Sequence, residues 1–163
     1  ANSGTSSFTM SGGSLTSKSG HVFHVTNTDA VITLSGVKIV NEDAENILLS
    51  VCADGWSGGK NIATLKGSQQ TLAGAIKVGS DSELTVDLSN GSSFEGSIDG
   101  KISNAKGKAV STEVGTVTLT LDDSSTWTLT GDSYVSSFTG NASNIIGNGH
   151  TLYVNGVALT GTK

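Results

Sequence analysis

The chain has 163 residues, 22 of them glycine and none proline, with 14% charged residues and a formal net charge of −5. That length suffices for one domain with a core. The basic residues are all lysine, and so acidic a chain is not built to grip nucleic acid or an anionic membrane surface; no apolar run is long enough for a membrane-spanning helix.

Ser, Thr, Asn and Gly dominate the polar residues, which is a turn-rich β profile. Regular Val/Ile/Leu alternation argues against disorder. Cys52 is the only cysteine, so no internal disulfide is expected. No basic-plus-apolar leader stands at Ala1, and the sequence reads as a mature chain or an excised domain, expected outside the cell.

Residues 1–7 are small and polar and read as a linker or frayed start. Short alternating segments follow at 8–10, 14–16 and 21–26. A second set falls at 31–34, 37–40 and 47–51, a third at 62–65, 70–72 and 75–78, and a fourth at 84–88 and 93–98. The clearest stretch is 115–132. There Val117, Leu119, Leu121, Trp127 and Leu129 share one face and threonines take the other. Asp122-Asp123-Ser124-Ser125 forms the turn between the two strands. Residues 134–138 follow, and 144–146, 151–154 and 157–159 make the last set.

Triplets of strands separated by short corners predict a solenoid. The expected fold is all-β: a single-stranded right-handed parallel β-helix, one domain over 1–163, of about six irregular coils of roughly 20–30 residues. An antiparallel sandwich is the alternative, with Asn90-Gly91, Asn148-Gly149 and Asn155-Gly156 as hairpin turns. The corners are too short for sandwich crossovers, and their Asn, Ser, Thr and Gly residues can stack in ladders on successive coils. Two segments break the rhythm, 52–60 and 100–115. Insertions into solenoids leave as loops on one side, often the binding side.

The stretches T-W-T-L-T-G-D-S-Y-V (126–135) and G-N-G-H-T-L-Y-V-N-G (147–156) resemble the terminal module of large right-handed parallel β-helix surface proteins, adhesin-like, from gut-type bacteria. The similarity extends over most of the chain, from the strand at His21-Val22-Phe23 onward. The resemblance implies a pectate-lyase-like fold, a secreted or cell-surface location, and a carbohydrate or host-surface partner. It carries no catalytic residue set. The preferred function is therefore a non-catalytic adhesion or carbohydrate-binding module of a larger bacterial protein. The alternatives are a polysaccharide-active lyase or glycoside hydrolase, and a purely structural stalk or cap.

Individual residues are weighed against that expectation. A hydrolase needs two carboxylates about 5–10 Å apart. Asp122 and Asp123 are the alternative carboxylate site, although adjacent carboxylates in a turn are ordinarily solvated. Glu83, Thr85 and Asp87 share an outward face that could hold Ca²⁺; a solvated face is the plainer reading, and no cofactor is expected. His21 and His24, three residues apart in a strand, should point to opposite faces and share no ion. Exposed aromatic rings stack on sugar faces. Trp56 lies in a Gly-rich loop between Asp54 and Lys60, and Tyr153 falls opposite Leu152 and Val154. Trp56, Tyr153, Asp54 and Lys60 are the expected ligand contacts. The threonines Thr118, Thr120, Thr126, Thr128 and Thr130 form a short outward array of the kind that binds ice, unrepeated elsewhere as the segments read.

Overall fold

Period-two alternation makes the strands, and they come in threes. The computed structural model describes residues 5–53, 61–103 and 109–163. The first set is β1 (Thr5–Ser11), β2 (Ser14–Ser17) and β3 (Phe23–Val25); the second is β4 (Thr28–Ser35), β5 (Lys38–Asn41) and β6 (Ile47–Val51). The third is β7 (Asn61–Ser68), β8 (Thr71–Ala73) and β9 (Ala75–Val78); the fourth is β10 (Glu83–Ser89), β11 (Ser93–Gly96) and β12 (Ile98–Asp99). Two short strands then intervene, β13 (Ile102–Ser103) and β14 (Ala109–Ser111). The fifth set is β15 (Thr116–Leu121), β16 (Thr126–Leu129) and β17 (Ser133–Val135). The last is β18 (Ser137–Thr139), β19 (Ile145–Ile146) and β20 (Leu152–Val154), followed by β21 (Val157–Ala158).

Corresponding strands of successive sets pair with one another. The first strands form one sheet in the order β1-β4-β7-β10-β15-β18. The second strands form β2-β5 and β8-β11-β16-β19, and the third form β3-β6-β9-β12 and β17-β20-β21. Among the described residues every strand pairing is parallel except β13 with β14 and β20 with β21. The fold is all-β with parallel sheets, compatible with a β-helix, and the antiparallel sandwich is ruled out. The Asn-Gly pairs explain why both readings were open. Asn155 and Gly156 take φ of 49° and 80° and do turn the β20–β21 hairpin. Asn90 and Gly91, at 55° and 76°, instead join β10 to β11, which lie in different sheets.

Register stacks like on like. Ile32, Leu65, Val86 and Leu119 align across the first sheet, and all are buried. Phe94 aligns with Leu72 and Trp127 in the second. Each alternation sends these side chains inward and the threonines outward, as expected for Val117, Leu119, Leu121, Trp127 and Leu129, which are all buried.

Side chains continue the hydrogen bonding where strands stop. Between β5 and β8 the second face is split, and Gln70, 1% exposed, bridges the gap. Its Oε1 accepts from the Val37 N–H at 2.9 Å and its Nε2 donates to the Val37 carbonyl at 2.7 Å. The ladder runs on down the same corner. The Gln70 N–H donates to Ser92 Oγ (3.1 Å), the Ser92 N–H to Ser125 Oγ (3.2 Å), and Asn144 Nδ2 to the Ser125 carbonyl (2.9 Å). These are the corner ladders that the Ser- and Asn-rich composition predicts.

Three expectations are corrected. Thr5, Ser6 and Ser7 are not a linker; they lie in β1 and pair with Asp29, Ala30 and Val31. Residues 134–138 are not one strand: the chain leaves the third face at Ser136, whose Oγ accepts from the Val117 N–H at 3.0 Å, so β17 and β18 belong to different sheets. Strand β3 begins at Phe23, which leaves His21 and Val22 outside it. At the far end β21 covers β20, and the Lys163 N–H donates to the Ile145 carbonyl at 2.9 Å.

Candidate functional site

The third face has a break, and a cleft opens at it. Strand β12 ends at Asp99, the described residues 100–103 and 109–115 lie outside the stacked sets, and β17 follows in the fifth set. The Ile98 N–H donates to Ser133 Oγ at 3.0 Å, a single side-chain link across the break. Two glycines allow the excursion to leave and return so tightly. A Cβ on Gly100 would meet the Glu113 carbonyl carbon at 2.1 Å, and one on Gly115 would meet the Gly79 and Ser82 carbonyl oxygens at 2.2 Å. The resulting cleft has a volume of about 450 Å³ and is lined by Asp99, Gly100, Lys101, Thr112, Glu113, Val114 and Tyr134. That lies within the usual range for small-molecule sites, roughly 300–1,000 Å³.

One wall is aromatic. Tyr134 and Tyr153 are opposite each other in the β17–β20 register, with ring centroids 5.2 Å apart and planes 9° from parallel. Two parallel rings that close cannot lie side by side in one plane, so one covers a face of the other. Tyr134 is 37% exposed and lines the cleft. The floor is ionic. Lys77 Nζ lies 2.9 Å and 3.1 Å from the two Asp99 carboxylate oxygens. The Lys101 N–H also donates to Asp99 Oδ1 at 3.0 Å. The side chains of Lys77 and Asp99 are 20% and 17% exposed, so the pair is fixed and partly shielded.

The residues expected at the site fall in several places. Tyr153 is half-buried and reaches the cleft only through Tyr134. Asp54, Trp56 and Lys60 lie outside the described residues. Asp122 and Asp123 are on another corner and serve the fold. Asp122 Oδ2 accepts from the Asn90 N–H at 2.8 Å, and its Oδ1 accepts from the Ser124 N–H and hydroxyl. Asp123 Oδ1 accepts from Asn141 Nδ2 at 3.1 Å. Tyr134, Asp99, Lys77, Lys101 and Glu113 were not singled out from sequence. A signal was present: Tyr134 and Tyr153 each precede a valine inside a last-of-three strand, so stacking the sets stacks the rings.

The Asn90 N–H, then the hydroxyls of Ser124 and Ser125, hold the Asp122 carboxyl down from 3.8 to about 2. A carboxylate depressed in the folded state contributes stability above its unfolded pKa and loses it as pH falls through the folded one. Asp122→Asn should therefore melt below wild type at neutral pH, and the gap should close between about pH 4 and pH 2. Thermal melts across that range check this; a gap that stays constant down to pH 2 would contradict it.

His21 and His24 do not diverge. Because His21 precedes β3, the chain turns it back, and both rings bond the buried hydroxyl of Ser50, at 2.7 Å and 2.6 Å. Their ring centroids are 5.7 Å apart. Among the described residues no group of three or more His, Cys, Asp or Glu side chains is placed to hold a metal ion. Glu83 and Asp87 face neighbours that are not carboxylates: Ile62 and Thr116 flank the first, Lys66 and Thr120 the second. The threonine array extends further than the sequence suggests, since Thr64, Thr85 and Thr118 align in one row. The neighbouring row from Thr33 to Thr120 is broken by Lys66 and Asp87, so the face is not a uniform threonine lattice.

Comparison with family models, with curated proteins and with solved structures gave no match. Among the described residues no helix is long and apolar enough to cross a membrane.

Proposed function

We propose that the three strand families close into a right-handed parallel β-helix of pectate-lyase-like form that works as a non-catalytic carbohydrate-binding module of a larger, secreted or surface-exposed bacterial adhesin-like protein. The supporting topology is that corresponding strands of successive sets pair in parallel, set upon set. Right-handedness follows from the rule for parallel crossover connections. One observation carries the binding reading: an exposed tyrosine, backed by a second stacked tyrosine, lines a cleft together with an aspartate that a lysine holds in place. Aromatic faces meet sugar C–H groups, while carboxylates and ammonium groups take the hydroxyls.

Binding to immobilised glycans tests this. Wild type is expected to retain a defined subset of glycans, and Tyr134→Ala to lose them with its fold intact.

A polysaccharide-active enzyme is the second reading. It is favoured by Asp99 and Glu113 lining one cleft, since paired carboxylates are what glycoside hydrolysis uses. Against it, both Asp99 oxygens already accept from Lys77. Release of reducing ends from a polymer by wild type, abolished in Glu113→Gln, would replace the binding reading with this one.

A further inference from the structure

The charges and free lone pairs of the cleft narrow the class of sugar it takes. We propose that it holds one neutral pyranose, stacked on the exposed face of Tyr134 and hydrogen-bonded to the Asp99 carboxylate, in preference to a uronate or an amino sugar; this rests on the carbohydrate reading above.

The geometry sets the pose. Tyr153 covers one face of Tyr134, so a ligand has at most one aromatic face of it to meet, in a cleft that Thr112, Glu113 and Val114 also line. A flat ring with axial C–H groups on one side fits that slot, because C–H groups carry partial positive charge toward the negative π face. Among the lining residues Val114 is apolar and Thr112 carries a hydroxyl.

The electrostatics set the class. Asp99 and Glu113 supply two negative charges, and Lys101 and the Lys77 that grips Asp99 supply two positive ones. Among the described residues the charges at the cleft are thus balanced without a ligand. A uronate would bring a third carboxylate beside Asp99 and Glu113, and an amino sugar a third cation beside Lys77 and Lys101. Like-charge contact of that kind is unfavourable in a partly shielded site. The net charge of −5 adds a weaker, salt-screened bias against anionic polymers.

Asp99 is prepared for a hydroxyl donor. A carboxylate offers about four lone-pair sites. Lys77 reaches both oxygens and the Lys101 N–H reaches Oδ1, so three sites are used and one remains. The same bonds hold the carboxylate still, so little freedom is lost when a sugar O–H arrives.

Calorimetric titration of the full chain tests the proposal. The probes are the methyl glycosides of glucose, galactose and mannose, the methyl glycoside of galacturonate, and methyl glucosaminide. At least one neutral glycoside should bind with a Kd of about 1 mM or better, and its acidic and amino counterparts about tenfold more weakly or not at all. Tyr134→Ala should weaken the neutral ligand by about tenfold or more; this ring is on the surface, so the variant keeps its fold. Asp99→Asn should weaken it too, while Thr120→Ala, on a different face, should not. If the uronate binds as tightly as the neutral sugar, the proposal is overturned and the broader carbohydrate reading stands; if neutral binding survives Tyr134→Ala, the Tyr134 cleft is not the sugar site and both this proposal and the site it rests on fall. If neither the titrations nor the immobilised glycans give any binding, both fall.

Discussion

Trp127→Ala is expected to destabilise the protein by about 3–5 kcal/mol, the usual cost of emptying an aromatic site in a core. Trp127 is fully buried. Its ring stacks on Phe94 at 5.5 Å with planes 23° apart, and its Nε1–H donates to the Gly96 carbonyl at 2.9 Å. The backbone there has little room to close over the gap, because Gly96 already sits against Gly74, between β8 and β9 of the preceding set. A Cβ there would lie 2.0 Å from the Gly74 carbonyl oxygen. The Gly96 carbonyl keeps a second donor, the Thr130 N–H at 3.3 Å, so most of the loss is packing rather than an orphaned acceptor. For a chain of this size the melting temperature should fall by roughly 6–20 °C. Trp127→Phe keeps the stack and loses only the N–H bond and part of the ring, so about 1–2 kcal/mol is expected. Denaturant unfolding of both variants checks the order; equal losses would mean that the stack contributes nothing.

The second large effect comes from a polar residue. Gln70→Ala is expected to cost about 2–5 kcal/mol, because it strips partners from two buried backbone groups at about 1–3 kcal/mol each. Val37 is 4% exposed, and its N–H and carbonyl both bond the Gln70 amide. No strand pairing joins β5 to β8, so this amide supplies the main-chain-like link across that gap. Gln70→Leu should be as damaging as Gln70→Ala, although it fills the space, since neither restores a donor and acceptor. If Gln70→Leu melts like wild type, the amide is not bridging the sheets.

Much of the scaffold is written in local alternation. Val117 to Leu121 and Trp127 to Leu129 declare their buried faces with no tertiary information, because each inward position is apolar and each outward one polar. Alternation does not say where a strand changes sheet. Residues 134–138 carry no Gly, Asn or Asp to mark a turn, yet Ser136 turns the corner between β17 and β18. That turn depends on a bond to Val117, nineteen residues back. His21 was misjudged for the same reason. The face it takes depends on where β3 starts, and only pairing with β6 decides that.

The site was legible in outline only. Residues 100–115 stand out by composition as an excursion, and the cleft does lie at its base. Which side chains line it follows from register. Tyr134 meets Tyr153 because the fifth and sixth sets stack in phase, and Lys77 meets Asp99 because the third and fourth do. No single strand contains either pair. The adjacent Asp122 and Asp123 attracted notice as a carboxylate pair, but their oxygens serve the neighbouring turns.

Glycan binding by wild type, Tyr134→Ala and Asp122→Ala, read on one array at pH 7, tests the central claim most directly. The account predicts that wild type and Asp122→Ala retain the same glycans, all with a neutral sugar accessible to the cleft, and that Tyr134→Ala retains none. Binding that survives loss of the Tyr134 ring but disappears with the Asp122 carboxylate would place the ligand at the turn after β15 and contradict it.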